Sequence, residues 1–343
     1  MIELLKEVGR GKRGARDLTY EEAKQAAEMI MSGTAAPAQI GAFLVAERIK
    51  MESVDELLAF IDTLRARRLS HPMPGSLDCA GPYDGRTRSF LASLPTAFVL
   101  AACGQPTVLH GSPSLPPKWG VTLPDVLHAL DVPVGACSPS ALMAAAERSG
   151  FLFVPTESWC PPLQTIRDIR TQLGLRTVFN TAEKLLRFGE STCMAVGVFH
   201  GTVFEKVAHL LIQLGVTNGI VAQGTEGSED LAVDKRTRTY LIRDGKSDLF
   251  IVDPELYELQ VETPEQEWTA SSQAEAALSV LRGEAGLPAL NAVLLNGAVR
   301  LWIGGKAGSI EEGVYLARHA IESGAALEAY TRWREALLPV SSL

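Results

Sequence analysis

Cysteine is scarce in this sequence, and none of the five cysteines lies in a C-x-x-C pair of the kind that binds zinc or carries a redox disulfide. An odd, dispersed set indicates reduced thiols, which are typical of a cytoplasmic protein. No uninterrupted apolar run approaches the ~18 residues that a membrane-spanning helix needs. The charged opening residues 1–16 do not match a secretory signal. We therefore expect a cytoplasmic protein with no membrane partner.

Several common catalytic patterns are also missing. The chain has no Walker phosphate loop, no G-x-S-x-G nucleophile turn and no His/Cys cluster at metal-ligand spacing. His128 and His200 lie in the apolar contexts DVLHAL and VFHG, which are typical of packing residues. The sequence therefore excludes these familiar enzyme classes, and any chemistry must come from less regular loop motifs.

Positive charge is not in excess either. The net charge is −8 at pH 7, which argues against a dedicated nucleic-acid binder because phosphate contacts need clustered cations. Two local clusters nevertheless give candidate nucleic-acid contacts: Arg10, Lys12, Arg13, Arg16, Arg65, Arg67 and Arg68. Lys235, Arg236 and Arg238 form a third cluster. Each cluster could equally be a solvated surface, or cations that pair with the dipole at a helix C-terminus.

The residue pattern of the chain changes near residue 72. Residues 1–72 favour helices, with capping boxes at Thr19 and Glu22 and at Ser53 and Glu56. In residues 73–343, short apolar runs that end at Gly or Pro alternate with helical segments, which predicts a largely parallel sheet covered on both faces. We predict the α/β class, with a small N-terminal helical domain and a larger α/β domain closed by C-terminal helices. Ligands in such sheets bind beyond the carboxyl ends of the strands.

Four stretches in order along the chain resemble the anthranilate phosphoribosyltransferase-like family, which has the glycosyltransferase family 3 fold. They are residues 17–53, 150–155, 169–180 and 291–330. The resemblance implies a nucleoside phosphorylase/phosphoribosyltransferase-like architecture. It also implies a homodimer that pairs through its helical domain, and a ribose-phosphate donor held with magnesium in the hinge between domains.

Shorter motifs are closer to a divergent branch of that family, the YbiB-like proteins. They are EVGRGKRGARDL, RIK, CPPL and QGTEGSE, at residues 7–18, 48–50, 160–163 and 223–229. That branch keeps the fold and lacks the donor-binding loop, and its implied role is nucleic-acid binding without base specificity. Three functions stay open: a pentosyl transferase with an altered donor, a non-catalytic homodimer that binds single-stranded nucleic acid, and a metabolite-sensing scaffold.

The donor loop of the family reads D-x-x-G-T-G-G-D, in which consecutive glycines let backbone amides close on a pyrophosphate. The corresponding segment here, residues 78–85, reads DCAGPYDG. Gly81 and Asp84 align with the motif, but the central glycines are absent. Pro82 removes an amide donor, and Tyr83 adds bulk where the phosphate should approach. The loop therefore predicts a degraded donor site, or an ordinary turn between strand and helix.

Further candidate phosphate contacts follow this loop. Arg86 could bind phosphate by charge. Ser93 aligns with a serine on the family's phosphate-binding turn, although a serine there can equally cap a helix. The family's second motif, K-H-G-N-R, reads LHGSP at residues 109–113 and keeps only His110 and Gly111. A histidine at a strand end is often a structural residue held by hydrogen bonds rather than a catalyst.

Arg170 aligns with the arginine that receives the acceptor carboxylate in the family, a role that suits the two parallel donors of a guanidinium. The adjacent Asp-Glu metal pair of the family survives in reversed order as Glu229 and Asp230. Adjacent carboxylates suit Mg²⁺, or form a solvated acidic turn. We therefore predict weak or absent anthranilate phosphoribosyltransferase activity, Mg²⁺ as cofactor, and a phosphorylated small molecule or single-stranded nucleic acid as ligand.

Overall fold

The N-terminal region of the computed structural model, which describes residues 1–11 and 13–338, is built from four helices. They are α1 (Ile2–Val8), α2 (Tyr20–Met31), α3 (Pro37–Lys50) and α4 (Val54–Arg65). Both predicted capping boxes are confirmed: Thr19 accepts from the amide of Glu22, and Ser53 accepts from the amide of Glu56, while each glutamate bonds back to the cap amide. These caps satisfy amides that the helix itself leaves free.

The four helices pack through an apolar interior. Helix α2 lies against α4, and α1 lies against α3. The rings of Phe43 and Phe60 are stacked with centroids 6.3 Å apart, and both side chains are buried. Phe179 from the second region packs edge-on against Phe60 at 5.5 Å. The helical region therefore shares part of its core with the rest of the chain.

The second region contains one sheet of seven strands in the described part of the chain, in the order β3-β2-β1-β4-β5-β6-β7. The strands are β1 (Leu77–Ala80), β2 (Thr107–Gly111), β3 (Phe151–Pro155), β4 (Cys193–Gly197), β5 (Asn218–Ala222), β6 (Thr237–Arg243) and β7 (Lys246–Val252). Strands β1 to β5 are parallel, and β6 and β7 are antiparallel. The predicted mostly parallel sheet is confirmed.

The burial pattern differs between the parallel and the antiparallel strands of this sheet. Strands β1, β2 and β4 are buried at every position, as expected for parallel strands with helices on both faces. The antiparallel β6 alternates between buried and exposed positions over much of its length instead. Asp244 and Gly245 join β6 to β7 in a two-residue turn with φ of 52° and 74°, the geometry that an Asp-Gly hairpin adopts.

Helices cover the sheet. They are α5 (Ser93–Ala102), α6 (Leu123–Ala129), α7 (Pro139–Ser149), α8 (Thr156–Trp159), α9 (Pro161–Thr165), α10 (Arg167–Leu173), α11 (Phe179–Ala182), α12 (Phe204–Gln213), α13 (Ala270–Leu281), α14 (Leu287–Ile303), α15 (Ile310–Glu322) and α16 (Ala325–Leu337). Helices α10 and α11 pack back onto α3 and α4 of the helical region. No helix in residues 1–11 and 13–338 is both long and apolar enough to cross a membrane.

Because β1, β2, β4 and β5 are parallel neighbours, the loops that follow them meet at one edge of the sheet. The segments aligned with the family's two donor motifs, residues 78–85 and 109–113, run from β1 and β2 into the loops that follow them, and the loop after β5 contains the acidic pair. The fold therefore assembles the candidate residues at the edge where ligands bind in open parallel sheets.

Candidate functional site

Tyr83 fills the loop that follows β1. Its side chain is 4 % exposed, and its hydroxyl contacts Nδ1 of His110, accepts from Thr156 Oγ1 at 2.9 Å and lies 3.2 Å from the carbonyl oxygen of Glu183. Nε2 of His110 lies 3.0 Å from Asp78 Oδ1. When Nε2 donates to the carboxylate, Nδ1 is left to accept from the tyrosine. Burial raises the pKa of Tyr83 well above its usual range, so the phenol stays a neutral donor.

This network leaves almost no space among the predicted phosphate contacts. Six of the predicted site residues line a single cavity: Gly81, Arg86, Ser93, His110, Gly111 and Glu229. The cavity also includes Tyr83, and its volume is about 20 Å³. That is room for about one water molecule. The structure therefore brings the predicted phosphate contacts together, but around a packed interior.

Gly81 and Glu229 approach each other closely in this interior. A Cβ atom on Gly81 would lie 2.7 Å from Glu229 Oε2, so any larger residue there would require the Glu229 carboxylate to move. Glu229 is 2 % exposed, and Oε2 has no hydrogen-bond partner among residues 1–11 and 13–338. Burial and the neighbouring Asp230 raise the pKa of Glu229.

Asp230 is held between two arginines. Arg86 Nη2 donates to Oδ2 at 2.6 Å, and Arg300 Nη2 donates to Oδ1 at 2.7 Å. The amide of Ser93, at the start of α5, also donates to Oδ2 at 3.0 Å. Burial alone would raise the pKa of Asp230, but the two guanidinium groups hold it below its usual value. Arg86 and Ser93 thus contact a carboxylate of the chain itself.

The same arrangement bears on the predicted Mg²⁺ site. Both carboxylate oxygens of Asp230 are in ion pairs with arginine, and Arg300 is also 3.8 Å from Glu229. Among the residues that the structure describes, no group of three or more His, Cys, Asp or Glu side chains could hold a metal ion. Because Mg²⁺ binds through carboxylate oxygens, Glu229 Oε2 is the oxygen of this pair left free to contact it within residues 1–11 and 13–338, and Mg²⁺ as cofactor stays a prediction.

Arg170 and Asp84 lie outside the small cavity, and both have internal partners. Arg170 forms two hydrogen bonds with Glu183, at 2.6 and 3.0 Å, and both side chains are buried. Asp84 accepts from Arg176 at 2.6 Å and lies 3.3 Å from the Lys118 ammonium. The paired donors that Arg170 could offer to an acceptor carboxylate are therefore occupied by Glu183.

A larger cavity lies between the helical region and the sheet. Its volume is about 330 Å³, and it is lined by Arg48 and Glu52 from around the end of α3 and by Asp84 and Arg176 from the second region. Lys184 lies in its wall and donates to the carbonyl of Gly197 at 2.7 Å. Burial lowers the pKa of Lys184 to about 8. This hinge cavity is open to a ligand of moderate size and carries both signs of charge.

Glu226, in the loop after β5, reaches across to the loop after β1. Its carboxylate accepts from the amides of Thr87, Arg88 and Ser89 at 2.9–3.2 Å, and from the hydroxyls of Thr87 and Ser89 at 3.1 and 2.7 Å. Burial alone would raise the pKa of Glu226, but these bonds and the charge of Lys118 lower it to about 2. The two loops are thus joined by one ionised side chain.

Two family models match nearly the whole chain. The helical bundle domain of a glycosyl transferase family matches residues 2–68, and the a/b domain of that family matches residues 83–327. The anthranilate phosphoribosyltransferase of Thermomicrobium roseum is 34 % identical over 328 residues, 92 % of each chain. That of Acetivibrio thermocellus is 31 % identical over 317 residues, 91 % of each chain. The chain belongs to the anthranilate phosphoribosyltransferase family.

Solved structures of this family agree with the fold. Anthranilate phosphoribosyltransferase from Thermus thermophilus has a TM-score of 0.84 and 28 % identity, and the match covers 97 % of this chain and 99 % of that one. The Saccharomyces cerevisiae enzyme in complex with PRPP and Mg has a TM-score of 0.82 at 19 % identity, covering 100 % and 98 %. The predicted fold class and family are confirmed. The assignment to the YbiB-like branch stays a prediction.

Within this family scaffold, three of the seven predicted nucleic-acid contacts have close acidic partners. Arg10 pairs with Glu7 at 2.6 Å, and Arg16 pairs with both Glu7 and Glu22. Arg67 pairs with Glu28. These arginines therefore carry less free charge than the sequence clusters indicate.

The remaining predicted contacts differ in their surroundings. Arg65 is half-buried, and Arg68 donates to its carbonyl at 2.9 Å. Arg13 is exposed. Lys12 lies outside the described residues. Nucleic-acid contact by these residues stays a prediction.

Sequence reasoning missed three residues that pair with or lie beside the predicted site residues: Arg300, Glu183 and Glu226. Arg300 lies in the apolar helix α14, where a lone buried arginine is a signal that a carboxylate must face it. Glu183 gave no comparable signal, because its partner Arg170 is on a different helix. In the sequence, nothing distinguishes Glu226 from the other acidic residues of its loop, Glu229 and Asp230.

Proposed function

We propose that this chain keeps the scaffold of anthranilate phosphoribosyltransferase but transfers phosphoribosyl groups weakly or not at all. Beside the hinge cavity of about 330 Å³, the predicted phosphate contacts around Tyr83 enclose a cavity of only about 20 Å³, and this small cavity is the observation that carries the proposal. A phosphoribosyl pyrophosphate molecule is far larger than the single water that this space admits.

Opening the cavity has a free-energy cost. The Tyr83 hydroxyl would lose its contacts with His110, Thr156 and the Glu183 carbonyl. Each such hydrogen bond contributes about 0.5–1.5 kcal/mol, and a buried partner left without one costs more. Donor binding would have to offset these losses without the glycine amides and the lysine that the family uses.

The residue predicted to bind the acceptor carboxylate, Arg170, supports the same proposal. An acceptor carboxylate could bind Arg170 only by displacing Glu183, which is 0 % exposed. Breaking a buried ion pair costs about 3–5 kcal/mol when it leaves a charge without a partner. The donor and acceptor positions are therefore both occupied by side chains of the chain itself.

Isothermal titration with phosphoribosyl pyrophosphate and Mg²⁺, beside a fluorescence assay of anthranilate consumption, tests this proposal. We expect no metal-dependent donor binding in the micromolar range and no measurable turnover. Tyr83→Gly removes the ring and should gain donor affinity, whereas Tyr83→Phe keeps the ring and should not. Micromolar, Mg²⁺-dependent donor binding by the unmodified protein would contradict the proposal.

The alternative that we keep is a homodimer that binds single-stranded nucleic acid. It is supported by a second cavity of about 480 Å³, whose lining includes Arg88, Lys235, Arg236 and Trp268. The side chains of Lys235 and Arg236 are each 70 % exposed, although Lys235 lies 3.6 Å from Asp234 and Arg236 pairs with Asp253 at 2.5 Å. Cations beside an aromatic ring are what single-stranded nucleic-acid sites use.

Salt dependence separates this alternative from specific donor binding. Affinity for a single-stranded oligonucleotide should fall steeply between about 50 and 200 mM salt, as it does for contacts that release counterions, which amounts to about 10³-fold for six contacts. The double substitution of Lys235 and Arg236 by Gln should weaken binding, whereas the same change at the exposed Arg332 should not. Equal binding by both variants would refute a site at this cavity.

A further inference from the structure

The cavity of about 480 Å³ is separate from the predicted donor and acceptor positions. Of the residues that line it in the described part of the chain, Glu226 alone also lines the hinge cavity, and none lines the small cavity around Tyr83. Its volume lies within the range of about 300–1,000 Å³ that is usual for small-molecule sites. We call it the tryptophan cavity, after Trp268 in its wall.

Two aromatic side chains form one wall of the tryptophan cavity. The ring centroids of Phe90 and Trp268 lie 5.6 Å apart, and the ring planes differ by 31°. Both side chains line the cavity, and both residues are half-buried. Such a wall favours a planar aromatic ligand, because ring stacking adds a specific attraction to the burial of apolar area.

The backbone on both sides of Phe90 is fixed by one buried side chain. Gln273 Oε1 accepts from the amide of Leu91 at 2.8 Å, and Gln273 Nε2 donates to the carbonyl of Ser89 at 2.8 Å. Gln273 is 0 % exposed and lies in α13. The Phe90 part of the wall is therefore held in place by the interior of the protein before any ligand binds.

The segment that carries Trp268 is attached at both ends. The amide of Val261 donates to the carbonyl of Val233 at 3.0 Å, and the amide of Trp268 donates to the carbonyl of Thr87 at 3.3 Å. Between these two bonds, residues 263, 264 and 266 also line the cavity. Residues 261–268 thus form one side of the tryptophan cavity, and Trp268 is held in the same wall as Phe90.

The floor of the cavity is apolar. It includes the buried side chains of Ala92, Leu231 and Val233 and the half-buried Ala292. Asn296 accepts from the amide of Leu231 at 2.9 Å and donates to its carbonyl at 3.2 Å. Because these backbone groups already have partners, the floor presents apolar surface, which favours an aromatic ring over water.

Cationic side chains lie around this apolar interior. Arg88 is exposed, and its guanidinium has no ion-pair partner among residues 1–11 and 13–338. Lys235 and Arg236 also line the cavity, although each lies near an aspartate. A guanidinium offers two parallel donors that match a carboxylate. Arg88 therefore favours a ligand whose ring carries a carboxylate group.

We propose that the tryptophan cavity binds a planar, fused-ring aromatic carboxylate, with the ring against Phe90 and Trp268 and the carboxylate toward Arg88. A cavity of about 150 Å³ is enough for benzene, so this larger space admits a fused ring with a substituent. The site uses neither Tyr83 nor Arg170, so it holds whether or not the protein transfers phosphoribosyl groups. It differs from the nucleic-acid alternative because a single ring, and not a chain of phosphates, makes the contacts.

The probe is 2-naphthoate, titrated calorimetrically into the full chain, with neutral 2-naphthol and single-ring benzoate for comparison. Ala289→Leu fills the cavity from α14 with a residue that favours helix. Trp268→Ala removes part of the wall, Trp268→Phe keeps a ring there, and Arg88→Gln removes the cation. Ala144→Leu is the matched control, because Ala144 is exposed on α7 and outside the cavity lining.

We expect the unmodified protein to bind one 2-naphthoate per chain, and to bind benzoate more weakly. Ala289→Leu and Trp268→Ala should each weaken binding at least about tenfold, as loss of a stacking partner does for nucleobases, and Trp268→Phe should weaken it less. Arg88→Gln should weaken the binding of 2-naphthoate but not of 2-naphthol, and Ala144→Leu should change neither. Hydrogen exchange in residues 261–269 should slow when 2-naphthoate is added.

Three results would overturn the assignment. One is the absence of 2-naphthoate binding by the unmodified protein at millimolar concentration. Another is equal binding by the unmodified protein and Ala289→Leu, which would place the ring at a different site. The third is a loss of oligonucleotide binding in Ala289→Leu when neither protein binds 2-naphthoate, which would assign the cavity to nucleic acid. If the Trp268 variants do not fold, the comparison of Ala289→Leu with Ala144→Leu still decides.

Discussion

Replacing Asp230 by Asn tests whether the carboxylate is needed to balance the two arginines around it. Arg86 and Arg300 are 1 % and 2 % exposed, so the substitution leaves two buried guanidinium groups facing a neutral amide. Removal of one partner of a buried ion pair costs about 3–5 kcal/mol. We therefore expect Asp230→Asn to lower the free energy of unfolding by at least about 3 kcal/mol.

Guanidinium chloride unfolding followed by circular dichroism measures this loss. Arg300→Met is the matched variant from the other side of the pair: it leaves buried Glu229 and Asp230 to share Arg86, so a loss of similar size is expected. Glu328→Gln breaks the exposed pair with Arg332 and should change stability by no more than about 0.5 kcal/mol. A loss below about 1 kcal/mol for Asp230→Asn would refute the view that Asp230 serves the arginines rather than a metal.

Three further predictions concern charge and packing elsewhere. Burial and Glu56 raise the pKa of Glu47 to about 8, so stability should fall as pH rises from about 4.5 to 8, and Glu47→Gln should flatten that slope in unfolding curves. The pKa of Glu226 is lowered to about 2, so its contribution to the free energy of unfolding is present above about pH 4.5 and lost as pH falls toward 2. The stability of Glu226→Gln should therefore fall less steeply over that pH range in an acid titration. Gly197→Ala should strongly lower the thermal unfolding temperature, because the added Cβ would lie 2.1 Å from the Ser228 carbonyl carbon.

Much of the fold follows from local patterns in the sequence. The alternation of short apolar runs with helical segments predicts a parallel sheet, because only strands covered on both faces can be apolar throughout. Capping boxes mark helix starts through contacts three residues apart. The antiparallel hairpin of β6 and β7 was less visible, since its alternating pattern is weaker than the apolar runs.

The candidate site was only partly predictable, because its key contacts join distant residues. The sequence shows Pro82 and Tyr83 in place of glycines, and so indicates a damaged loop. It does not show that Tyr83 turns inward to His110, or that Arg300 lies 70 positions from its partner Asp230. Such pairings form because loops from distant parts of the chain meet at the edge of the sheet. Local sequence patterns do not predict these contacts.

On the proposed function, the Arg170–Glu183 ion pair makes the evolutionary route to an active transferase longer than one mutation. Glu183 pairs with the arginine predicted to receive the acceptor, while Tyr83 fills the cavity of the predicted phosphate contacts, and the two side chains belong to different segments of the chain. A substitution that frees either position alone gives no turnover for selection to act on, because transfer needs both substrates bound together. Libraries of single mutants should therefore stay inactive in an anthranilate selection, and active variants should carry changes in both segments.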